Sequence, residues 1–314
     1  MKKNIVVAGC GHWGKNLVRN FHELGSLKYI SDPDEALVNK ISDEYKIESI
    51  GFEEALEKES IKGVVVAAPA KLHSEMAIKA IKKGKNVFVE KPLAMNNNEA
   101  IEMINVAREN NVHLMVGHLL QYHPIFIELK KIIDSGKLGK IKHIYSNRLS
   151  LGKIRSHENV VWSFAPHDIS MILSLVNRSP IDIKVNKHSF LRDKIADIAS
   201  ISLDFGNNLK SNINISWINP FKEQKLVVIC EDGSLIFDDT LPWEKKLCLL
   251  NYKIAINGEE SCIEKSDPAY IKIDFEEPLK KECKYFIELI DNKVEPRTDG
   301  YEGLEVLKVL TATD

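Results

Sequence analysis

The sequence predicts an α/β protein in two parts: a doubly wound parallel sheet over residues 1–118, then an α+β domain at 119–314 with an open, mainly antiparallel sheet. Three observations lead there. The first third alternates short apolar runs with amphipathic helical patterns, the signature of βαβ units. A glycine-rich hexapeptide separates the first apolar run from the helix that follows it. From about residue 141, strand-like runs follow one another across turn signals, which favours antiparallel pairing.

Ile5–Ala8 reads as the first strand, and Lys15–Leu24 as a helix with Leu17, Val18 and Phe21 on one face and Gly25 as its stop. Tyr29–Ser31 is a short second strand ending at Asp32, and Val64–Ala68 is a strand bounded by Gly63 and Pro69. Leu72–Lys83 reads as a helix that turns Leu72, Met76, Ala80 and Ile81 inward and ends at Gly84. Asn86–Val89 is the next strand. The helix after it starts at the N-cap Asn96, with Glu99 three residues on, and buries Ile101, Ile104 and Ala107. Leu114–Val116 closes the domain. Right-handed crossovers between these strands give the open, doubly wound sheet. The second domain holds strand patterns at Ile141–Leu149, Asp182–Val185, Ile198–Phe205, Lys210–Trp217, Lys225–Cys230 and Ser234–Phe237. Helical patterns at Leu279–Asp291 and Gly300–Leu310 end the chain.

With 44% apolar and 28% charged residues, the chain can bury a real core. A net charge of −2 supplies no general attraction for nucleic acid or an anionic membrane. Cys10, Cys230, Cys248, Cys262 and Cys283 lie far apart without a C-x-x-C, which implies reduced thiols rather than disulfides or zinc. His113, His118, His123 and His143 lack the H-x-x-x-H spacing of a metal helix, so no metal is expected. The opening Met1–Cys10 superficially resembles a lipoprotein signal. Its apolar run of about five residues is shorter than the ~7–15 of a secretory core. No run approaches the ~18–20 apolar residues of a membrane span. The expectation is a soluble, cytoplasmic, unprocessed protein.

Gly9-Cys10-Gly11-His12-Trp13-Gly14 is G-x-G-x-x-G, placed after a strand and opening a helix. The first glycine permits a tight turn, the second admits a pyrophosphate, and the third allows close helix–strand packing. Helix N-terminal amides then face the phosphate charge. Asp32 stands where an acid hydrogen-bonds ribose hydroxyls and repels a 2′-phosphate, which favours NAD over NADP. The plainer alternatives are a glycine turn without a ligand, and an aspartate that only caps the turn at Pro33. Val87-Phe88-Val89-Glu90-Lys91-Pro92 ends a later strand at the sheet edge where such folds bind ligands. A lysine there can stabilise an alkoxide as hydride leaves the same carbon, or be a solvated strand end. Lys91-Pro92 is also a candidate cis peptide.

Gly9–Gly14, Asp32, Glu90-Lys91-Pro92 and the strand-rich second half together resemble the glucose–fructose oxidoreductase and inositol dehydrogenase superfamily, over essentially the whole chain. The resemblance implies a Rossmann domain that binds NAD through Gly9, Gly11, His12, Trp13, Gly14, Asp32, Pro69, His73, Glu90 and Lys91. Lys91 inherits a place beside the reacting hydroxyl. Its usual partner, a histidine heading a helix of the second domain, matches His167 in Trp162-Ser163-Phe164-Ala165-Pro166-His167-Asp168. Histidine ordinarily titrates near ~6.5, which suits proton removal at neutral pH. The plain reading of His167 is a capping or packing side chain. Many relatives carry aspartate where this chain has Ser163, so either Asp168 takes up part of that work or the pair operates without a carboxylate. His73 matches the loop that passes the nicotinamide ribose, or is a surface histidine at a helix start.

Gly117–Pro124, Asn159–Asp168, Glu277–Cys283 and Thr298–Leu304 are similar to the branch that oxidises the 3-hydroxyl of UDP-N-acetylhexosamines or their uronic acids. In that branch the 3-keto sugar feeds an aminotransferase, on the route to the 2,3-diamino sugars of surface polysaccharides or lipid A. The candidate substrate contacts are Lys91, Tyr122, Asn147, Arg148, Arg155, His167 and Asp168, arginine matching phosphate or carboxylate in a bidentate fashion; the equal alternative for Tyr122, Asn147, Arg148 and Arg155 is a solvated surface group. The reduced cofactor leaves after each turnover or is reoxidised in place by a second substrate such as 2-oxoglutarate. Family analogy also implies a homodimer or homotetramer. Two other functions compete: a polyol dehydrogenase or sugar ketoreductase of the same superfamily, and a non-catalytic NAD-binding sensor. A sensor has no need of both Lys91 and His167.

Overall fold

The computed structural model describes residues 3–156, 158–258 and 260–314. Met1 and Lys2, the charged head of the signal-like opening, lie outside the described residues. The chain forms two compact units: Met1–Tyr122 with Glu276–Lys308, and His123–Phe275 with Val309–Asp314.

The first unit begins β1 (Ile5–Ala8), α1 (Gly14–Glu23), β2 (Leu27–Ser31), α2 (Glu35–Tyr45), β3 (Glu48–Ser49) and α3 (Phe52–Glu57). It continues through β4 (Gly63–Val66), α4 (His73–Lys82), β5 (Asn86–Glu90), α5 (Asn97–Glu109) and β6 (Leu114–Gly117). The strands pair in parallel in the order β3-β2-β1-β4-β5-β6. The order reverses between β1 and β4, which makes their carboxyl ends the topological switch point. Residues of β1, β4 and β6 are buried throughout, as strands covered by helices on both faces must be.

Some details differ from the sequence reading. The helix α2 is capped by Asp34, which accepts from Leu37 N at 3.0 Å, but it buries only Val38 and Ile41, so its apolar pattern is faint. In α4 the inward residues are His73, Ala77, Ala80 and Ile81 rather than Leu72 and Met76. In α5 they are Ala100, Met103, Ile104 and Ala107, and Ile101 is exposed. Helices α4 and α5 pack on each other, and Ala77, Ala80, Ala100 and Ala107 are among their buried residues, so the buried stripe includes small side chains as well as large ones.

The second unit runs α6 (Pro124–Asp134), β7 (Ile141–Leu151), α7 (Val160–Val176), β8 (Asp182–His188), β9 (Ile198–Asp204) and β10 (Lys210–Ser216). It is completed by β11 (Ile218–Cys230), β12 (Gly233–Asp238), β13 (Leu247–Asn257), β14 (Glu260–Lys265) and β15 (Ala269–Tyr270). The sheet order is β14-β13-β12-β11-β7-β10-β9-β8, with β15 on β13. Every pairing is antiparallel except β7 with β10.

The chain closes with α8 (Pro278–Ile290) and α9 (Gly300–Thr311). A simple division at residue 118/119 is corrected here, because residues 276–308 return to the first unit. On α8, Leu279, Cys283, Phe286, Ile287 and Leu289 join the core formed by Phe21, Phe88 and Met115. Phe286 meets Phe21 edge-on at 6.2 Å and Phe88 at 5.7 Å. An amphipathic pattern announces that α8 has a face to bury, not which core receives it.

Candidate active site

The glycine turn after β1 is built by sterics. Gly9 has φ 93°, and a Cβ on it would lie 2.5 Å from the Ala67 carbonyl carbon. A Cβ on Gly14 would lie 1.9 Å from the Gly9 oxygen. On Gly11 it would meet no protein atom within 4 Å. The fold therefore demands the outer two glycines, and the middle one leaves open space of the kind a pyrophosphate needs. The Asp32 carboxylate accepts from Cys10 N at 2.7 Å and from Asp34 N at 3.0 Å, so it caps its turn and is tied to the glycine loop as well. Carboxylate oxygens have two lone pairs each, which leaves acceptors for ribose hydroxyls. A cleft of about 580 Å³ opens beside the turn, between His12 and Lys15 on one side and Leu37, Lys40 and Tyr45 on the other. These residues fit an adenine dinucleotide.

Glu90 ends β5 beneath the same sheet edge. It accepts from the Trp13 indole at 2.6 Å and from Lys91 N at 3.2 Å. Gly117, its neighbour on β6, makes room: a Cβ there would come within 3.0–3.2 Å of the Glu90 carboxylate. Burial pushes the Glu90 carboxyl up to about 7, against the pull of the indole and of Lys91. The Lys91-Pro92 peptide is cis.

His73 is neither a surface histidine nor one with a free edge toward a ribose. It is buried, with Nδ1 2.8 Å from Pro92 O and Nε2 2.8 Å from Ala68 O, and burial holds its pKa below the usual value. It straps the cis-proline turn to the loop after β4, in which Pro69 precedes a short 3-10 turn at Ala70–Leu72.

In the second unit His167 is the eighth residue of α7, directly after Pro166. It does not head the helix. The N-cap is Asn159, whose side chain accepts from Val161 N and Trp162 N. Ser163, four residues before His167, shares its side of the helix. Asp168 faces β7: it accepts from Ser146 Oγ at 2.5 Å and forks with Arg148 at 2.6 and 3.2 Å. With Asp168 1% exposed, this is an internal strut rather than a pair open to substrate. Asn147 points to the opposite face, where its amide bonds Glu223 and Asn214 at 3.0 Å each, so Asn147 and Arg148 cannot line one site. Arg155 is exposed and pairs with Glu158 at 3.3 Å. Tyr122 belongs to the first unit's core, its ring against Tyr285 and its hydroxyl 2.8 Å from Thr298 Oγ1, which removes it from substrate contact. What the residue reading missed is Gly117 as a carboxylate cradle and Trp13 as its donor. The pairing of Glu90 with Gly117 on adjacent strands was the available signal.

Among the described residues no group of His, Cys, Asp or Glu could hold a metal ion, and no helix is long and apolar enough to cross a membrane. Residues 3–118 match the NAD-binding Rossmann fold of an oxidoreductase family, and residues 126–236 match the GFO/IDH/MocA C-terminal domain. An uncharacterized oxidoreductase of Streptococcus pneumoniae is 33% identical over 146 residues, 45% of this chain and 39% of that one, so the match spans well under half of that relative. The UDP-N-acetylglucosamine 3-dehydrogenase of Acidithiobacillus ferrooxidans is 23% identical over 227 residues, 72% of this chain and 71% of that protein. A solved structure of the Acidithiobacillus ferrooxidans UDP-N-acetylglucosamine 3-dehydrogenase superposes with a TM-score of 0.86 at 20% identity, covering 99% of this chain and 96% of that one. The glycine turn, the Glu90-Lys91-Pro92 strand end and the open mixed sheet are thus parts of one known architecture, and the chain belongs to the GFO/IDH/MocA family of NAD-binding oxidoreductases.

Proposed function

We propose that this chain oxidises the 3-hydroxyl of a UDP-N-acetylhexosamine, or of its uronic acid, to the 3-keto sugar. The observation that carries the reading is the link from the glycine turn through Trp13 to Glu90, which sets Lys91 at the cofactor's sheet edge. Bound NAD supplies the hydride acceptor. Lys91 holds the hydroxyl oxygen and stabilises the alkoxide as it develops. His167, from α7 of the second unit, takes the proton. The Asp168–Arg148–Ser146 strut fixes α7 against β7 and so fixes the turn that carries His167. Similarity to a UDP-N-acetylglucosamine 3-dehydrogenase supports the choice of sugar.

The reading places the enzyme in the cytoplasm, as a homodimer or homotetramer through the broad face of its second sheet, ahead of an aminotransferase in diamino-sugar synthesis. The test is turnover with NAD and either UDP-N-acetylglucosamine or its uronic acid, with and without 2-oxoglutarate, followed by product mass. Loss of two hydrogens from one sugar identifies the C6 group, and dependence on 2-oxoglutarate identifies recycling in place. If neither sugar changes mass while inositol is oxidised, the polyol reading replaces this one.

A further inference from the structure

Glu282 has no part in anything described so far. It is fully buried on α8, and neither carboxyl oxygen has a hydrogen-bond partner among the described residues. Its neighbour follows from ring packing. Phe286, one turn further along α8, contacts Phe88 at 5.7 Å, and Phe88 lies two residues before Glu90 on the same face of β5. The next positions along these two elements are Glu282 and Glu90. Burial raises the Glu282 carboxyl well above its usual range, and the charge of Glu90 raises it further.

Two buried carboxyls within such reach do not both ionise. Glu90 has the Trp13 indole, the Lys91 amide and the space left by Gly117 to hold a negative charge. Glu282 has no donor among the described residues and keeps the proton. The other titratable groups around the pair are Lys91 and His118 on the Glu90 side, His118 being 2.6 Å from Glu302. On the Glu282 side they are Tyr122 and Cys283, whose own ionisation burial opposes. The pair is therefore neutral below about 7 and carries a single negative charge, on Glu90, above it.

Its place gives that charge a use. Asp32 marks the adenosine half of the sheet, at β2. Glu90 ends β5, across the switch point, in the half left for the nicotinamide end. We propose that the Glu90–Glu282 pair, by holding one negative charge, makes this site discriminate the cationic oxidised nicotinamide ring from its neutral reduced form. Glu282 is then a positioning residue that acts through Glu90. The inference rests on NAD binding by the first unit and is independent of which sugar reacts.

The test is the ratio of NADH to NAD dissociation constants, measured calorimetrically from about pH 5.5 to 8.5, a range that brackets the value of about 7 to which burial pushes Glu90. In wild type the ratio should rise at least about tenfold with pH, the effect of one unit charge acting over ~12 Å at an effective dielectric near 20. Glu90→Gln should remove the pH dependence. A ratio flat with pH in wild type, or a dependence that persists in Glu90→Gln, overturns the proposal. Should Glu90→Gln not fold, infrared difference spectra of wild type minus Glu282→Gln at pH 8 decide separately. A protonated-carboxyl carbonyl band is expected, and its absence overturns the assignment of the proton. Failure of NAD itself to bind would instead sink the cofactor reading.

Discussion

The indole N–H of Trp13 donates to Glu90 across 2.6 Å, joining the glycine turn to the strand end that carries Lys91. Two motifs 77 residues apart in sequence thereby become one rigid edge of the sheet. A hydrogen bond to a charged acceptor is worth about 1.5–3 kcal/mol, and its loss leaves a buried carboxylate short of a donor. Trp13→Phe should therefore weaken NAD binding by about tenfold or more while leaving the fold intact. Titration calorimetry with circular dichroism checks both halves. Unchanged affinity would mean that the bond does not organise the cofactor edge.

The glycines of the turn separate into two kinds. Gly9→Ala and Gly14→Ala drive a Cβ into the backbone of Ala67 or Gly9 and should lower thermal stability. Gly11→Ala meets only open space within the protein, so its melting temperature should hold while NAD affinity falls. Gly117→Ala should behave like neither. It crowds the Glu90 carboxylate and should weaken NAD binding with only a small loss of stability. Paired melting and binding curves distinguish the three outcomes.

Arg148 is a candidate substrate contact in sequence, and in the structure it meets Asp168. Breaking a buried ion pair from one side costs about 3–5 kcal/mol, because the other charge is left without its counterpart. Arg148→Ala should thus lower the denaturation midpoint sharply. In whatever protein remains folded, KM should rise little. A large KM effect with unchanged stability would return Arg148 to the substrate site.

Glu282 also makes a stability prediction with a definite sign. Its folded-state pKa lies above the ordinary 4.5, so the folded protein keeps a proton that the unfolded chain releases as pH rises past that value. Wild type is penalised progressively above about 4.5 and is free of the penalty below it. Glu282→Gln carries no such proton. Its melting temperature relative to wild type should be higher at pH 8 than at pH 5. A difference that does not vary with pH would show that Glu282 is ionised in the fold.

The sequence displays the first sheet well, because β1, β4 and β6 are continuous apolar runs punctuated by Gly25, Gly63 and Gly84. The G-x-G-x-x-G turn and the Glu90-Lys91-Pro92 strand end were legible for the same reason: each couples a local pattern to a strand end. Side-chain commitments were not. Tyr122, Asn147, Arg148 and Asp168 are polar residues that look available in sequence, yet Thr298 engages Tyr122, Asn214 and Glu223 engage Asn147, and Asp168 binds both Arg148 and Ser146 from a different element. Period-two alternation along β7 does place Asn147 and Arg148 on opposite faces, and that much could have been read in advance. The destination of α8 could not, since burial against Phe21 and Phe88 depends on tertiary contacts over more than 190 residues.

The most direct measurement uses UDP-N-acetylglucosamine carrying deuterium at C3, incubated with NAD and the protein. The nicotinamide is then recovered and weighed by mass spectrometry. The reduced cofactor should gain the deuterium, and Lys91→Ala should abolish the transfer without abolishing NAD binding. A protein that binds NAD but moves no deuterium from C3 of this sugar or its uronic acid would contradict the proposed oxidation.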